Sequence, residues 1–371
     1  MHQAPIPITT VAVSTFAPRL ITWQRSHGRH HLPWQVTDPY RIWLSEIMLQ
    51  QTQVHTVLSY YKRFVTQFPN IVTLANAPLD EVLTLWSGLG YYHRAHRLHR
   101  TAQIIVSEFQ GRFPTARQTL ETLPGIGRST AGAIAVFAAH QKEAILDGNV
   151  KRILARVFGI EALLSRRQTT EQLWQLAKQL LPNHHNDMVP YTQGLMDLGT
   201  MICKHHQPRC ATCPMQDICL AALQNKTASI PAKPVRNPLQ VRYTTMLLIC
   251  YKHGVYLEKR PPNGIWGGLW TFPAFDSLQS ALRVVNTLDI YPLPPAWPTI
   301  IHVFTHLRLV ISPQIVKVHA ATPSLDKLPG RWIDYQTVKK IAIPAPVLQL
   351  LERLFHTANP HHQYIVENHA H

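Results

Sequence analysis

Residues 123–156 read LPGIGRSTAGAIAVFAAHQKEAILDGNVKRILAR, and no other stretch of the 371 residues restricts the fold so tightly. Pro124 cannot continue a helix that arrives from its N-terminal side, and Gly125 and Gly127 are expected to supply backbone angles that other residues disfavour. The pattern predicts a helix over 116–122, a tight turn, and a second helix over 129–139 built from small apolar residues. Bare N–H groups at the start of that second helix, approached across two glycines, attract an anion such as a phosphate. Asp147 stands just before the next amphipathic run. Two readings of it stay open: an N-cap for a helix over 149–158, or a carboxylate kept for chemistry.

Lys and Arg outnumber Asp and Glu by 36 to 20, which gives a net charge of +16 with His neutral. That balance suits a polyanionic partner without separating nucleic acid from a membrane surface. No apolar run is long enough to span a bilayer, and Pro5, Pro7 and Pro18 interrupt the N-terminal region, so no secretory signal is expected. Five cysteines, four of them crowded between Cys203 and Cys219, do not form a disulfide framework for a chain of this length. A reducing compartment, the cytoplasm, is the expectation.

Helical periodicity runs through the first 225 residues, with segments expected at 11–30, 78–86, 94–109, 169–181 and 190–202 besides the hairpin. Asp38 and Pro39 form an N-cap and N1 pair, and the helix they open is expected to carry a stripe from Trp43 through Ile47, Val54, Val57 and Tyr61. Residues 226–240, with Pro231, Pro234 and Pro238, read as a linker. Beyond it, strands are expected at 243–251, 254–260 and 301–311 and helices at 277–287 and 344–356. The fold class is therefore multi-domain: an all-α domain over 1–225, then an α+β domain over 241–358. A disordered tail is expected over 359–371.

Glu46 lies in WLSEIMLQQTQV, where a helix puts it on one side with Ile42, Leu49, Gln50 and Gln53. Uncharged amides suit base edges and desolvate an acid, which lifts its pKa toward the range a general acid needs. Cys203, Cys210, Cys213 and Cys219 are spaced C-x6-C-x2-C-x5-C. Four thiolates suit zinc or an iron–sulfur cluster, and the single C-x2-C knuckle is unlike a zinc ribbon, which has two.

Taken together, LPGIG-R-S-T-A-G, LDGNVKR, the glutamate motif and the cysteine spacing resemble the helix-hairpin-helix DNA glycosylases, and within them the A/G-specific adenine DNA glycosylases. The resemblance extends over about the whole chain. It implies a hairpin (116–139) that holds a DNA phosphate at Gly125, Gly127 and Ser129, and a 4Fe-4S cluster on the four cysteines of the 203–219 loop. It implies Glu46 as the acid that protonates adenine, Asp147 as the anion at the sugar, and Asn149 as a positioning group. Strand-nicking relatives carry Lys where this chain has Ser129, so base excision without an efficient lyase step is expected. Leu49, Gln51 and Tyr91 (in GLGYYHRAHR) would fill the gap left by a flipped adenine.

GGLWTFPAF at 267–275 resembles the start of a Nudix domain, but no Glu occurs between Phe272 and Trp297 to hold Mg²⁺, so hydrolysis there is not expected. In the family this domain reads 8-oxoguanine through a Phe-Ser-His loop; here the residues are Phe304, Thr305 and His306. Without the resemblance, the same stretch is a strand with a buried His. The expected partner is double-stranded DNA with adenine opposite 8-oxoguanine or guanine, no membrane, and the chain a monomer. An endonuclease III-like pyrimidine-damage glycosylase and a non-catalytic DNA-binding protein are the alternatives.

Overall fold

A computed structural model describes residues 10–234, 237–252, 254–287, 297–318, 330–338 and 340–358. The tail expected over 359–371 lies outside them. The helices of the first part are α1 (Thr10–His27), α2 (Pro39–Leu49), α3 (Val54–Gln67), α4 (Ile71–Asn76), α5 (Leu79–Trp86), α6 (His93–Glu108), α7 (Arg117–Glu121), α8 (Arg128–Ala139), α9 (Gly148–Val157), α10 (Arg167–Gln179), α11 (Met188–Asp197) and α12 (Leu220–Leu223). Seven strands follow: β1 (Gln240–Tyr251), β2 (Gly254–Lys259), β3 (Trp270–Thr271), β4 (Ala274–Phe275), β5 (Ile300–Val303), β6 (Leu307–Lys317) and β7 (Gly330–Asp334), with α13 (Leu278–Thr287), α14 (Tyr335–Val338) and α15 (Ala345–Ala358) among them. By packing, one compact unit comprises residues 1–76 and 97–236, and the other residues 77–96 and 237–371.

The first unit is helical. Its core joins the ends of the sequence: Phe16 of α1 lies 6.2 Å from Phe158 and 6.4 Å from Tyr191, ring centre to ring centre. Asp197, fully buried at the end of α11, accepts from the Arg29 backbone N–H and Nε at 2.9 and 2.7 Å and from Gln193 at 2.9 Å. A buried carboxylate is tolerated because these donors satisfy it.

The chain from Asp38 is not one helix. Asp38 caps α2 by accepting from the Tyr40 N–H at 3.0 Å, but α2 ends at Leu49, and Gln51 turns the backbone left-handed with φ 57°. Val54, Val57 and Tyr61 therefore sit on α3, and Gln53 is its N-cap rather than a neighbour of Glu46. The stripe runs across the break because both helices bury their apolar sides, and periodicity alone does not register a four-residue turn.

The small residues of α8 let other backbone approach it. A Cβ on Gly132 would stand 2.7 Å from the Ala144 carbonyl oxygen, so the extended strap of residues 141–146 lies directly against the helix. The Ser129 hydroxyl accepts the Leu146 N–H at 2.9 Å and fastens the strap at its far end. The strap delivers Asp147 to the start of α9.

In the second unit the sheet order is β3-β2-β1-β6-β5, with β4 on β1 and β7 on β2. β1 and β6 run parallel from the Gln240↔Leu307 pair to the Cys250↔Lys317 pair, and every other pairing is antiparallel. Leu247, Ile249, Tyr256 and Val316 form its core with Ala281 and Val285 of α13. The single strand expected over 301–311 is two strands, because Phe304–His306 make a turn closed by the Phe304 N–H donating to Leu307 O at 2.8 Å.

Candidate active site

Glu46 occupies the last full turn of α2, which packs on α8. Its side chain is half-buried by accessible area yet lies deep in the helical unit. Burial, and to a smaller degree the nearby Asp147 charge, push its carboxyl up to about 8. A carboxyl so placed holds its proton at neutral pH, as proton donation to a leaving group requires. Asp147 is the N-cap of α9: its Oδ1 accepts the Val150 N–H at 2.8 Å, and the Asn149 amide lies 3.5 Å from Oδ2. The N-cap reading of Asp147 holds, and its charge lies near enough to Glu46 to raise that carboxyl.

Asn149 is itself held. Arg152 donates to Asn149 Oδ1 at 2.9 Å, to Gly199 O at 2.8 Å and to Cys203 O at 2.9 Å. One turn on, Arg156 donates to Ile230 O at 3.0 Å, Lys204 O at 2.6 Å, His205 O at 3.2 Å and Cys203 Sγ at 3.4 Å. Helix α9 thus carries Asp147 at its start and grips the cysteine loop with two buried arginines. Sequence reasoning missed both; their spacing on α9, i and i+4 on one face, was the available signal.

Cys203, Cys210, Cys213 and Cys219 line one pocket with Ile153, Leu198, Ile202 and Met215. None is in a disulfide. Burial pushes the Cys213 thiol up to about 12 and raises Cys210 and Cys219. Among the described residues no three or more His, Cys, Asp or Glu side chains converge on a single ion position. Zinc draws its sulfurs to about 2.3 Å from one point. Four free thiols on one pocket wall are a donor set that suits a thiolate-held group, an iron–sulfur cluster among them.

In the hairpin, Gly125 has φ +83° and a Cβ there would meet the Arg97 side chain at 3.1 Å. Gly127 is a correction: its φ is −90° with extended ψ 169°, which any residue adopts, and a Cβ there would meet nothing within 4 Å. What Gly127 provides is open space before the first N–H groups of α8. Ser129, expected at the phosphate, has its hydroxyl engaged by Leu146.

Leu49 is half-buried at the end of α2, and Gln51 is exposed. Tyr91, in the second unit, is also left-handed, φ 50°, with the Arg94 guanidinium 5.5 Å from its ring centre. Non-glycine residues held at positive φ cluster at functional positions, because something must repay the strain. Phe304, Thr305 and His306 form the β5–β6 turn, with Thr305 and His306 exposed. The reading of a strand with a buried His fails there. Phe304 packs among Trp266 (5.8 Å), His302 (4.5 Å) and His306 (6.0 Å).

This fold and cleft define a helix-hairpin-helix base-excision glycosylase joined to a Nudix-type domain. The pattern of HhH-GPD superfamily base excision DNA repair proteins matches residues 44–179, and that of the NUDIX domain matches residues 244–353. The chain is 36% identical over 340 residues to the adenine DNA glycosylase of Buchnera aphidicola subsp. Acyrthosiphon pisum, covering 91% of this chain and 97% of that one. It is 30% identical to the human adenine DNA glycosylase, covering 89% of this chain and 72% of that protein. Among solved structures, a thermostable thymine-DNA glycosylase superposes with TM-score 0.53 at 27% identity, covering 58% of this chain and 98% of that one. The chain belongs to the adenine DNA glycosylase family. No helix among the described residues is long and apolar enough to cross a membrane.

Two outcomes follow from the geometry. Gly127→Ala should leave thermal stability within about 0.5 kcal/mol of wild type, as it meets no clash, but weaken duplex binding, since its methyl stands before the open N–H groups. Melting and a salt-titrated binding isotherm check both halves. The Glu46 carboxyl is protonated below about pH 8 and loses its proton above, so the single-turnover excision rate should decline as pH rises through that range. Glu46→Gln should abolish excision; a rate profile flat to pH 10 would remove Glu46 from the role.

Proposed function

We propose that the protein hydrolyses the N-glycosidic bond of adenine mispaired with 8-oxoguanine or guanine in duplex DNA, without an efficient strand-nicking step. One observation carries the reading: two carboxyl groups lie near enough to interact, one pushed up to about 8 by burial, the other bonded to a helix N-terminus. Adenine is a poor anionic leaving group. Glu46 delivers its proton to a ring nitrogen of the extruded base, and the bond electrons leave with adenine. Positive charge then builds on the sugar, where the Asp147 carboxylate stabilises it until water adds to the anomeric carbon and gives up a proton, which returns to the Glu46 carboxylate. Asn149, held by Arg152, keeps Asp147 and the base in register. Gly125, Gly127 and the start of α8 bind a phosphate, while Leu49, Gln51 and Tyr91 occupy the emptied stack.

Ser129 provides no amine, so no Schiff base forms with the opened sugar. Phe304, Thr305 and His306 read the base opposite; Thr305 keeps the hydroxyl of the family's Ser and adds a methyl. The four cysteines hold a 4Fe-4S cluster, which when bound fixes the loop that Arg152 and Arg156 grip. The protein acts as a monomer.

Release of free adenine from duplexes with adenine opposite 8-oxoguanine, guanine, cytosine and thymine tests the assignment. Adenine release from the first two, with strand breaks only after alkali, is expected; release of oxidised pyrimidines instead would overturn it. The purified protein should also be brown and contain about four irons per chain. One zinc and no visible absorption would dismiss the cluster.

A further inference from the structure

Residues 77–96 precede the hairpin in sequence, yet they pack in the same compact unit as the Nudix-like sheet. Four contacts hold them there. Ser87 Oγ donates to Ile343 O at 3.1 Å, and Thr84 Oγ1 lies 3.4 Å from Lys340 O. Lys259 pairs with Asp80 at 2.5 Å, an exposed ion pair that contributes little. His96 Nε2 lies 3.0 Å from Gly267 O; a carbonyl only accepts, so the ring is the tautomer protonated at Nε2. The fit at that point is close, since a Cβ on Gly268 would stand 3.0 Å from His96 Cε1 and 3.3 Å from Leu83.

Between Ser87 and His96 lies the Tyr91 turn. Its carbonyls at Leu89 and Gly90 accept from Arg94 at 3.4 and 3.2 Å, and the Trp86 indole donates to Gly90 O at 3.1 Å. The His96 N–H bonds Tyr92 O at 3.2 Å, so the turn is tied to the residue that reaches Gly267. Gly267 adjoins Trp266, itself left-handed at φ 56°, whose ring packs 5.8 Å from both His302 and Phe304. Packed groups therefore run without a gap from Tyr91 through His96, Gly267 and Trp266 to the 304–306 turn.

We propose that His96 and Ser87 are positioning residues that brace the Tyr91 turn on the Nudix-like sheet, coupling recognition of the opposite base to seating of Tyr91 in the DNA stack. The inference rests on the reading of residues 304–306 and Tyr91 given under the proposed function, and it adds residues and a connection that neither role requires. Contiguous packing transmits a shift only if both ends respond together, and a double-mutant cycle measures that.

The experiment uses the full chain and single-turnover excision on duplexes with adenine opposite 8-oxoguanine and opposite guanine. His96→Ala should lower the preference for 8-oxoguanine about three- to tenfold although residues 304–306 are intact, the loss that one neutral hydrogen bond accounts for. Ser87→Ala should act in the same direction. His96→Gln, whose amide reaches the same carbonyl, should restore the preference, which general loosening of the fold would not allow. Combined with Thr305→Ala, His96→Ala should cost less than the product of the two single effects. An unchanged preference in both brace variants, or strictly multiplicative effects, would overturn the coupling. If Thr305→Ala itself leaves the preference intact, the reading of the turn fails, and the brace is then judged by 2-aminopurine fluorescence beside the mispaired adenine. A weaker rise on binding to His96→Ala than to wild type supports the brace, and an equal rise refutes it.

Discussion

Burial of Glu46 deep in the helical unit, and to a smaller degree the nearby Asp147 charge, raise its carboxyl so that it holds its proton at neutral pH. Asp147 has the Val150 N–H and the start of α9 to stabilise an anion. Glu46, at the end of α2, lies deep in protein. The asymmetry is set by backbone. The strap across α8 brings Asp147 alongside, and it lies close only because residue 132 has no side chain. The different surroundings of the two carboxyl groups are thus set by packing.

The same carboxylate depends on a second, more distant constraint. Guanidinium groups do not deprotonate in ordinary conditions, so Arg152 and Arg156 must be matched with acceptors where they are buried. Every acceptor named for them but one is a backbone carbonyl or sulfur of the segments around Gly199, Cys203–His205 and Ile230; the exception is Asn149. Gly199 faces Asn149 so closely that a Cβ would stand 2.7 Å from Asn149 Cβ. Displacing the cysteine loop would therefore unpair Arg152 and free Asn149, and through it disturb Asp147. In this arrangement the loop helps fix the positions of Asn149 and Asp147.

The hairpin and Asp147 were readable from sequence because their chemistry is local: a proline that halts a helix, a glycine at positive φ, an Asp where a cap belongs. The helix that carries Glu46 was readable, although Gln53, which the pattern set on its side, caps the next helix. The breaks at Gln51 and at Phe304–Thr305–His306 were not readable. Neither contains glycine or proline to announce a turn, and each lies between segments whose apolar pattern continues on both sides. Helix α4 was missed for its six residues, too few for periodicity to register. The association of residues 77–96 with the strands beyond residue 237 has no local signal, since it rests on side chains meeting distant carbonyls.

Ser129 shows how one position serves fold and reaction together. For the chemistry its importance is negative, the want of an amine. For the fold it is an acceptor: Leu146, 4% exposed, would otherwise have a buried N–H without its partner. A lysine in its place supplies three donors and no acceptor, so the strap would lose its fastening just before Asp147, at a cost of about 1–3 kcal/mol for the unpaired group. A chain that carries lysine here must hold the strap by other means. The backbone just before Asp147 is in this sense matched to a hydroxyl, rather than an amine, at residue 129.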